Sequence, residues 1–239
     1  MATWIVHLRI ADKLLSQLDR IDATAFVVGN MAPDSGVPNE DWSAFHPPKS
    51  VSHFERKTAA GTSFDIDAFR GRYFSNEAIS GYDLESYSFF LGYYVHLLTD
   101  IRWSETVYAS LKSEHAEAYA SDKRKLVEAA KEDWYDLDFL YLEQHPEFCA
   151  FSIYEKAVGF RNRFLDLFSE DAFENRREYI CGFYHGEEHG QLHREYPYLT
   201  PAGADLFVEE TSAWLLDQIR DKRQETGENT WDNSLKSQH

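Results

Sequence analysis

Hydrophobic residues recur at three- and four-residue steps along most of the chain. Between residues 3 and 19, Trp4, Leu8, Ala11, Leu15 and Leu18 share one stripe, which predicts an amphipathic helix. The same spacing predicts helices over about 65–75, 83–112, 121–143, 148–168, 171–185 and 203–224. Residues 20–52 break the pattern. Gly29, Pro33, Gly36, Pro38, Pro47 and Pro48 interrupt a mostly polar stretch, which reads as a long irregular segment of the kind that carries function. No run alternates apolar and polar positions over a useful strand length, and no internal repeat is present. The expectation is an all-α, multi-helix domain over residues 1–226, with a weak boundary signal near 113–121 and a frayed tail over 227–239.

Composition adds a core and a charge. Hydrophobic residues make up 43% and aromatic residues 15% of 239, which is ample for a packed interior. The net charge of −17 repels a phosphate backbone, so duplex nucleic acid is not an expected partner. It also disfavours an anionic membrane surface and suits divalent cations. The two cysteines, Cys149 and Cys181, are too few for a disulfide framework or a thiolate zinc site. No stretch approaches the roughly 20 apolar residues of a membrane span. The opening MATWIVHLRIADKLL lacks a basic leader, so the expected location is the cytoplasm, with no stable membrane anchor.

Candidate chemistry begins on the longest predicted helix. Phe89, Tyr93, Trp103 and Val107 form its apolar stripe, and the two positions completing it are His96 and Asp100. A carboxylate inside a buried stripe costs several kcal/mol, about 3–5 when unpaired, unless something neutralises it. A divalent ion held by H-x-x-x-D would do so. The alternative is a hydrogen-bond network in which Asp100 orients His96 or pairs with an arginine. His7 points inward from the first helix, in register with Ala11, Leu14 and Leu18. Asp34 follows Pro33 on a turn flanked by Gly29 and Gly36, where an Asx turn or cap is the competing reading. His53 opens a segment after Pro47-Pro48, where an exposed loop histidine is the alternative. Together these residues offer three imidazoles, two carboxylates and no thiolate, a set suited to Zn²⁺, or to Fe or Mn in a harder mixed site.

Trp4–His7, GNMAPDSG, VSHF and FFLGYYVHLLTD, taken together over about residues 1–110, resemble the bacterial zinc-dependent phospholipase C family, in particular its short, leaderless members. That family is distantly related to fungal single-strand nucleases with three zinc ions. The resemblance implies that Asp34, His53, His96 and Asp100 bind one zinc. It also implies that His7 shares Asp100 with another ion, and that Asp34 serves as a general base. The family's downstream H-x-x-x-E does not occur in this chain, and Trp4 is not a terminus, unlike the processed Trp of the secreted enzymes. His185, His189 and His193, four apart with Glu187 and Glu188 among them, are candidate extra ligands, and Asp138 among aromatics is a candidate neighbour of the pocket. The implied complement is one to three ions.

The expected function is a metal-dependent phosphoric ester hydrolase acting through activated water, phospholipase C-like, on a phospholipid or a soluble phosphoester. The alternative is a metal-stabilised helical binding or interaction protein without turnover. Adjacent His-Asp, E-x-x-H and G-x-S-x-G patterns are all absent, which removes three other hydrolase and di-metal classes. Trp4, Phe54, Tyr93 and Trp103 are candidate pocket aromatics, with core packing as the alternative role.

Overall fold

The computed structural model describes residues 1–41, 43–58, 61–186 and 188–225, so the expected tail over 227–239 lies outside them. The protein is predominantly helical, as the periodicity predicts. The helices are α1 (Trp4–Leu15), α2 (Ala23–Met31), α3 (Lys49–Ser52), α4 (Ile66–Tyr73), α5 (Asn76–Ser80), α6 (Leu84–Glu105) and α7 (Val107–Glu114). They continue with α8 (Ala116–Gln144), α9 (Cys149–Lys156), α10 (Ala172–His185) and α11 (Pro201–Glu225). Two short antiparallel hairpins, β1 (Val37–Pro38) with β2 (Phe45–His46) and β3 (Glu55–Thr58) with β4 (Gly61–Phe64), were not legible as alternating runs.

The largest departure from expectation is α2, which lies inside the segment read as irregular. Residues 25–31 are all buried, so the helix has no polar face and therefore no amphipathic period to detect. The Asp22 carboxylate caps it by accepting from Ala25 N at 2.9 Å, and Asp22 N donates to Ser88 Oγ of α6 at 2.9 Å. α2 and α6 cross at two glycines. A Cβ on Gly29 would lie 2.1 Å from the Phe89 carbonyl oxygen, and one on Gly92 would lie 2.1 Å from that of Phe26. Only residues without a side chain let these backbones meet so closely.

Other boundaries also moved for local reasons. The long helix breaks at Thr106 (φ −114°, ψ −80°), whose hydroxyl donates back to the Arg102 carbonyl at 2.6 Å, so Val107 begins a separate helix. α8 bends at Asp122. The expected helix over 148–168 stops at Lys156. Beyond it Asn162 organises a loop, donating to the Leu165 and Phe168 carbonyls and accepting from Phe164 N and Leu165 N. Leu165 and Phe168 are buried from that loop, so apolar spacing there reflects loop packing rather than a helical face. α1 packs against α2, α6, α8, α9 and α11, and is buried well beyond the single predicted stripe. Trp103 sits in the core between Trp134 and Phe207, with ring centroids 5.3 and 5.0 Å away.

Candidate metal centre

Five side chains named from sequence converge where α1, the end of α2, the end of α3 and α6 meet. His7 comes from α1, and His96 and Asp100 from successive turns of α6. All three are fully buried. Asp34 ends a 3-10 turn, Ala32–Asp34, that begins as α2 stops and is stiffened by Pro33. His53 caps α3 and is 1% exposed, not the open loop histidine of the alternative reading. Phe54 follows in the left-handed region at φ 53°, a strained conformation for an aromatic residue that turns the chain from α3 into β3.

The donor atoms lie at spacings that one or two ions bridge, since ligands on an ion with bonds of about 2.1 Å sit some 3–4 Å apart. His53 Nε2 is 3.3 Å from Asp34 Oδ1, 3.3 Å from His96 Nε2 and 3.9 Å from Asp100 Oδ2. His96 Nε2 is 3.7 Å from Asp100 Oδ2, and His7 Nε2 is 3.4 Å from Asp100 Oδ1. Two overlapping clusters result: His7, His96 and Asp100; and Asp34, His53 and His96. The His7 and His96 rings stack, 3.9 Å apart and 3° from parallel.

Four of these five side chains are held by hydrogen bonds from outside the cluster. His96 Nδ1 donates to the Asn30 carbonyl at 2.7 Å, which leaves the Nε2 lone pair directed into the cluster. Asn30 Nδ2 in turn donates to the Gly92 carbonyl. His53 Nδ1 is 2.9 Å from Ser52 Oγ, and the Ser52 carbonyl accepts from Tyr93 OH. Trp4 Nε1 donates to Asp34 Oδ2 at 2.9 Å, so Asp34 keeps Oδ1 for the cluster. The backbone N–H of Ala2 donates to Asp100 Oδ1 at 2.9 Å. Asn30, Ser52 and the Ala2 amide were missed from sequence. Asn30 was visible within GNMAPDSG, but a carbonyl acting on a residue 66 positions away leaves no sequence trace.

Protonation follows from burial and neighbours. Burial, reinforced by His7, pushes His96 down to about 3 against the opposing pull of Asp100 and Asp34, so it is a neutral imidazole. Burial by itself would raise Asp34, but its contact with His53, the other imidazole beside it and the Lys49 ammonium carry it well below the usual carboxylate range. Asp100 is likewise lowered despite burial, by the His7 imidazole 3.4 Å from its Oδ1 and by the positive chain terminus. Both carboxylates are anions and His96 has a free lone pair, the protonation state a metal requires.

Whether a metal suits these residues is answered by what the protein leaves unpaired. His7 Nδ1, His7 Nε2 and Asp100 Oδ2 are buried without hydrogen-bond partners. Orphaned polar atoms in a dry interior cost about 1–3 kcal/mol each, and a cation accounts for the two that face the cluster, His7 Nε2 and Asp100 Oδ2. The donor set, imidazole and carboxylate without thiolate, fits one or two divalent ions.

The remaining sequence candidates lie elsewhere. The expected row His185, His189, His193 is not a helical row, because α10 ends at His185 and the chain leaves the helix at Gly186. His185 Nε2 meets Glu155 Oε1 at 2.5 Å, His189 Nδ1 meets the Gly190 carbonyl, and His193 Nε2 meets Glu143 Oε1 at 3.0 Å. Asp138 is fully buried and takes the Thr3 hydroxyl at 2.7 Å and the Tyr184 hydroxyl at 2.5 Å. It thereby fixes the segment leading into α1. Burial raises its carboxyl to about 7, against those two hydrogen bonds and Arg9.

A cavity of about 920 Å³ opens beside Asp34, walled in part by Trp4, Tyr135, Tyr179, Phe183, Lys49 and Lys131. Of the four aromatics considered from sequence, Trp4 lines it, while Trp103 and Tyr93 are core and Phe54 packs on Phe69 and Tyr73. Among the described residues no helix is long and apolar enough to cross a membrane. Residues 6–135, more than half of the chain, match the family described as zinc dependent phospholipase C. No curated protein and no solved structure matches the chain.

Proposed function

Because the chain belongs to the zinc-dependent phospholipase C family, we propose that this metal-dependent hydrolase cleaves phosphoric esters. His7, Asp34, His53, His96 and Asp100 hold the metal in this reading, with zinc as the first choice. The observation that carries it is the convergence of buried His7 and Asp100 atoms on a neutral His96, beside Asp34, which itself lines a cavity of about 920 Å³. A bound divalent ion supplies Lewis acidity, lowering the pKa of water and offsetting charge on phosphoryl oxygens.

The chain's own residues supply orientation. Asn30 and Ser52 lock the two imidazoles, and Trp4 holds one oxygen of Asp34 so that the other faces the reacting centre. Asp34 Oδ1, kept as an anion, is the atom that ligates or receives the proton of the attacking water. The new P–O bond forms from that water as the P–O bond to the leaving group breaks. A soluble phosphoester fits the −17 charge at least as well as a phospholipid in an anionic surface.

The test is metal content and phosphoester turnover of protein purified without added metal or nickel affinity, for wild type and the His96→Ala/Asp100→Ala variant. One or more equivalents of zinc, iron or manganese, lost with turnover in the variant, is expected. Wild type that neither carries nor takes up metal sinks the hydrolase reading. Metal without turnover on any phosphoester would leave the binding-protein alternative.

A further inference from the structure

The protein is strongly acidic, with 24 basic against 41 acidic residues, yet two lysines line the one described cavity that includes Asp34. Lys49 is half-buried at the start of α3, and Lys131 comes from α8. Lys131 is thus on a different wall from the His/Asp donors, which belong to α1, the Pro-Asp turn, the α3 end and α6. The contacts of Lys49 are the Met1 sulfur at 2.9 Å and the Phe45 ring at 5.5 Å, and neither is a carboxylate. Lys131 is solvent-exposed, and the partial desolvation of its head with the Lys49 charge lowers it, opposed by Glu128. Two ammonium groups lining one cavity repel each other, and an anion bound between them would relieve that.

Asp34, which the Lys49 charge helps to hold as an anion, is already taken by Trp4 Nε1 and faces His53, and the other acids that share the cavity are paired or turned to solvent. Glu128 is engaged by Arg124 at 2.7 Å, and Asp136 by Arg194 at 2.7 Å and by Gly190 N at 2.9 Å. Glu132 and Glu188 are exposed to solvent. Arg176, also on the cavity wall, spends a guanidinium N–H on the Gly36 carbonyl, so it braces the Pro-Asp loop.

We propose that Lys49 and Lys131 form an anion subsite, and that the phosphoester taken by this cleft carries a second anionic group, phosphate or carboxylate, besides the scissile phosphate. This rests on the hydrolase reading above and narrows its substrate class. A headgroup bearing a quaternary ammonium would meet two cations here and is disfavoured. The cavity is large enough for such a molecule, because ligand pockets run from about 300 to 1,000 Å³.

The test uses two non-hydrolysable probes, phenylphosphonate and 4-carboxyphenylphosphonate, on the full zinc-loaded chain by calorimetry. The carboxylated probe is expected to bind about tenfold more tightly, the worth of a single charge-assisted hydrogen bond. That preference, read as the ratio of the two affinities on zinc-loaded protein, shrinks with salt and vanishes in Lys49→Gln/Lys131→Gln. In a parallel readout, amine acylation followed by mass spectrometry shows Lys49 and Lys131 protected by the carboxylated probe and not by the plain one. Equal affinities in wild type, a preference that survives in the double variant, or unchanged acylation overturns the subsite. Protection is also measured on metal-free protein, so the subsite is judged even where zinc binding fails. Wild type that takes up no zinc strikes the hydrolase reading instead.

Discussion

Gly92→Ala tests the crossing that builds both the core and the metal centre. The added methyl would sit 2.1 Å from Phe26 O, 2.7 Å from Asn30 N and 3.0 Å from Phe26 C, all backbone atoms. A relaxed carbon–oxygen contact needs more than 3 Å, so α2 and α6 must part by about 1 Å, and no side-chain rotation relieves this. A gap of that size forfeits a quarter to a half of each dispersion contact across the crossing. Overpacking costs about 1–3 kcal/mol, and the gain of replacing Gly by Ala in a helix returns about 1 kcal/mol. With backbone on both sides the upper end applies, giving a net loss of about 2 kcal/mol or more. The same displacement carries the Asn30 carbonyl away from His96 Nδ1, now 2.7 Å distant, and loss of such a supporting contact costs about 10–100-fold in metal affinity. Urea denaturation of the metal-free protein measures the first effect, and zinc competition against a chromophoric chelator measures the second. Gly71→Ala is the control. It lies within α4 with nothing within 4 Å of its Cβ, so it should be neutral or stabilising by up to about 1 kcal/mol. Gly92→Ala with wild-type stability and zinc affinity would refute the account of the crossing.

Three further outcomes follow from the same geometry. Trp4→Phe keeps an aromatic wall but removes the indole N–H from Asp34 Oδ2, so zinc affinity should fall about tenfold or more while the fold persists; unchanged affinity would show that Asp34 is positioned by other means. Asp138 has a folded pKa raised from 3.8 to about 7, so its contribution to stability is present below 3.8 and is lost as pH rises toward 7. Relative to Asp138→Asn, wild type should lose up to about 4 kcal/mol across that window, and a flat difference between the two denaturation series would contradict the assignment. Zinc at about 1,000 times its dissociation constant should stabilise wild type by about 4 kcal/mol, and should do little for His96→Ala/Asp100→Ala. Equal thermal shifts in both proteins would place the ion elsewhere.

The sequence by itself carried the helical class and the five converging side chains. Both are written locally: an amphipathic period marks a helix with one wet face, and H-x-x-x-D places two ligands on one face without reference to anything distant. It also carried the motif order that identifies the family. The buried helix α2 was hidden because a segment enclosed on all sides has no polar period, and its glycines looked like breakers when they are points of contact with Phe89 and Phe26. The loop after Lys156 looked helical because Leu165 and Phe168 are buried at a spacing a helix would also produce. Only the tertiary structure could decide which atoms each of these side chains turns inward. That choice depends on the Asn30 carbonyl, the Ser52 hydroxyl and the Trp4 indole, groups brought from other parts of the chain. It also separated His185, His189 and His193, because four-residue spacing aligns side chains only while the backbone remains a helix, and α10 ends at the first of them.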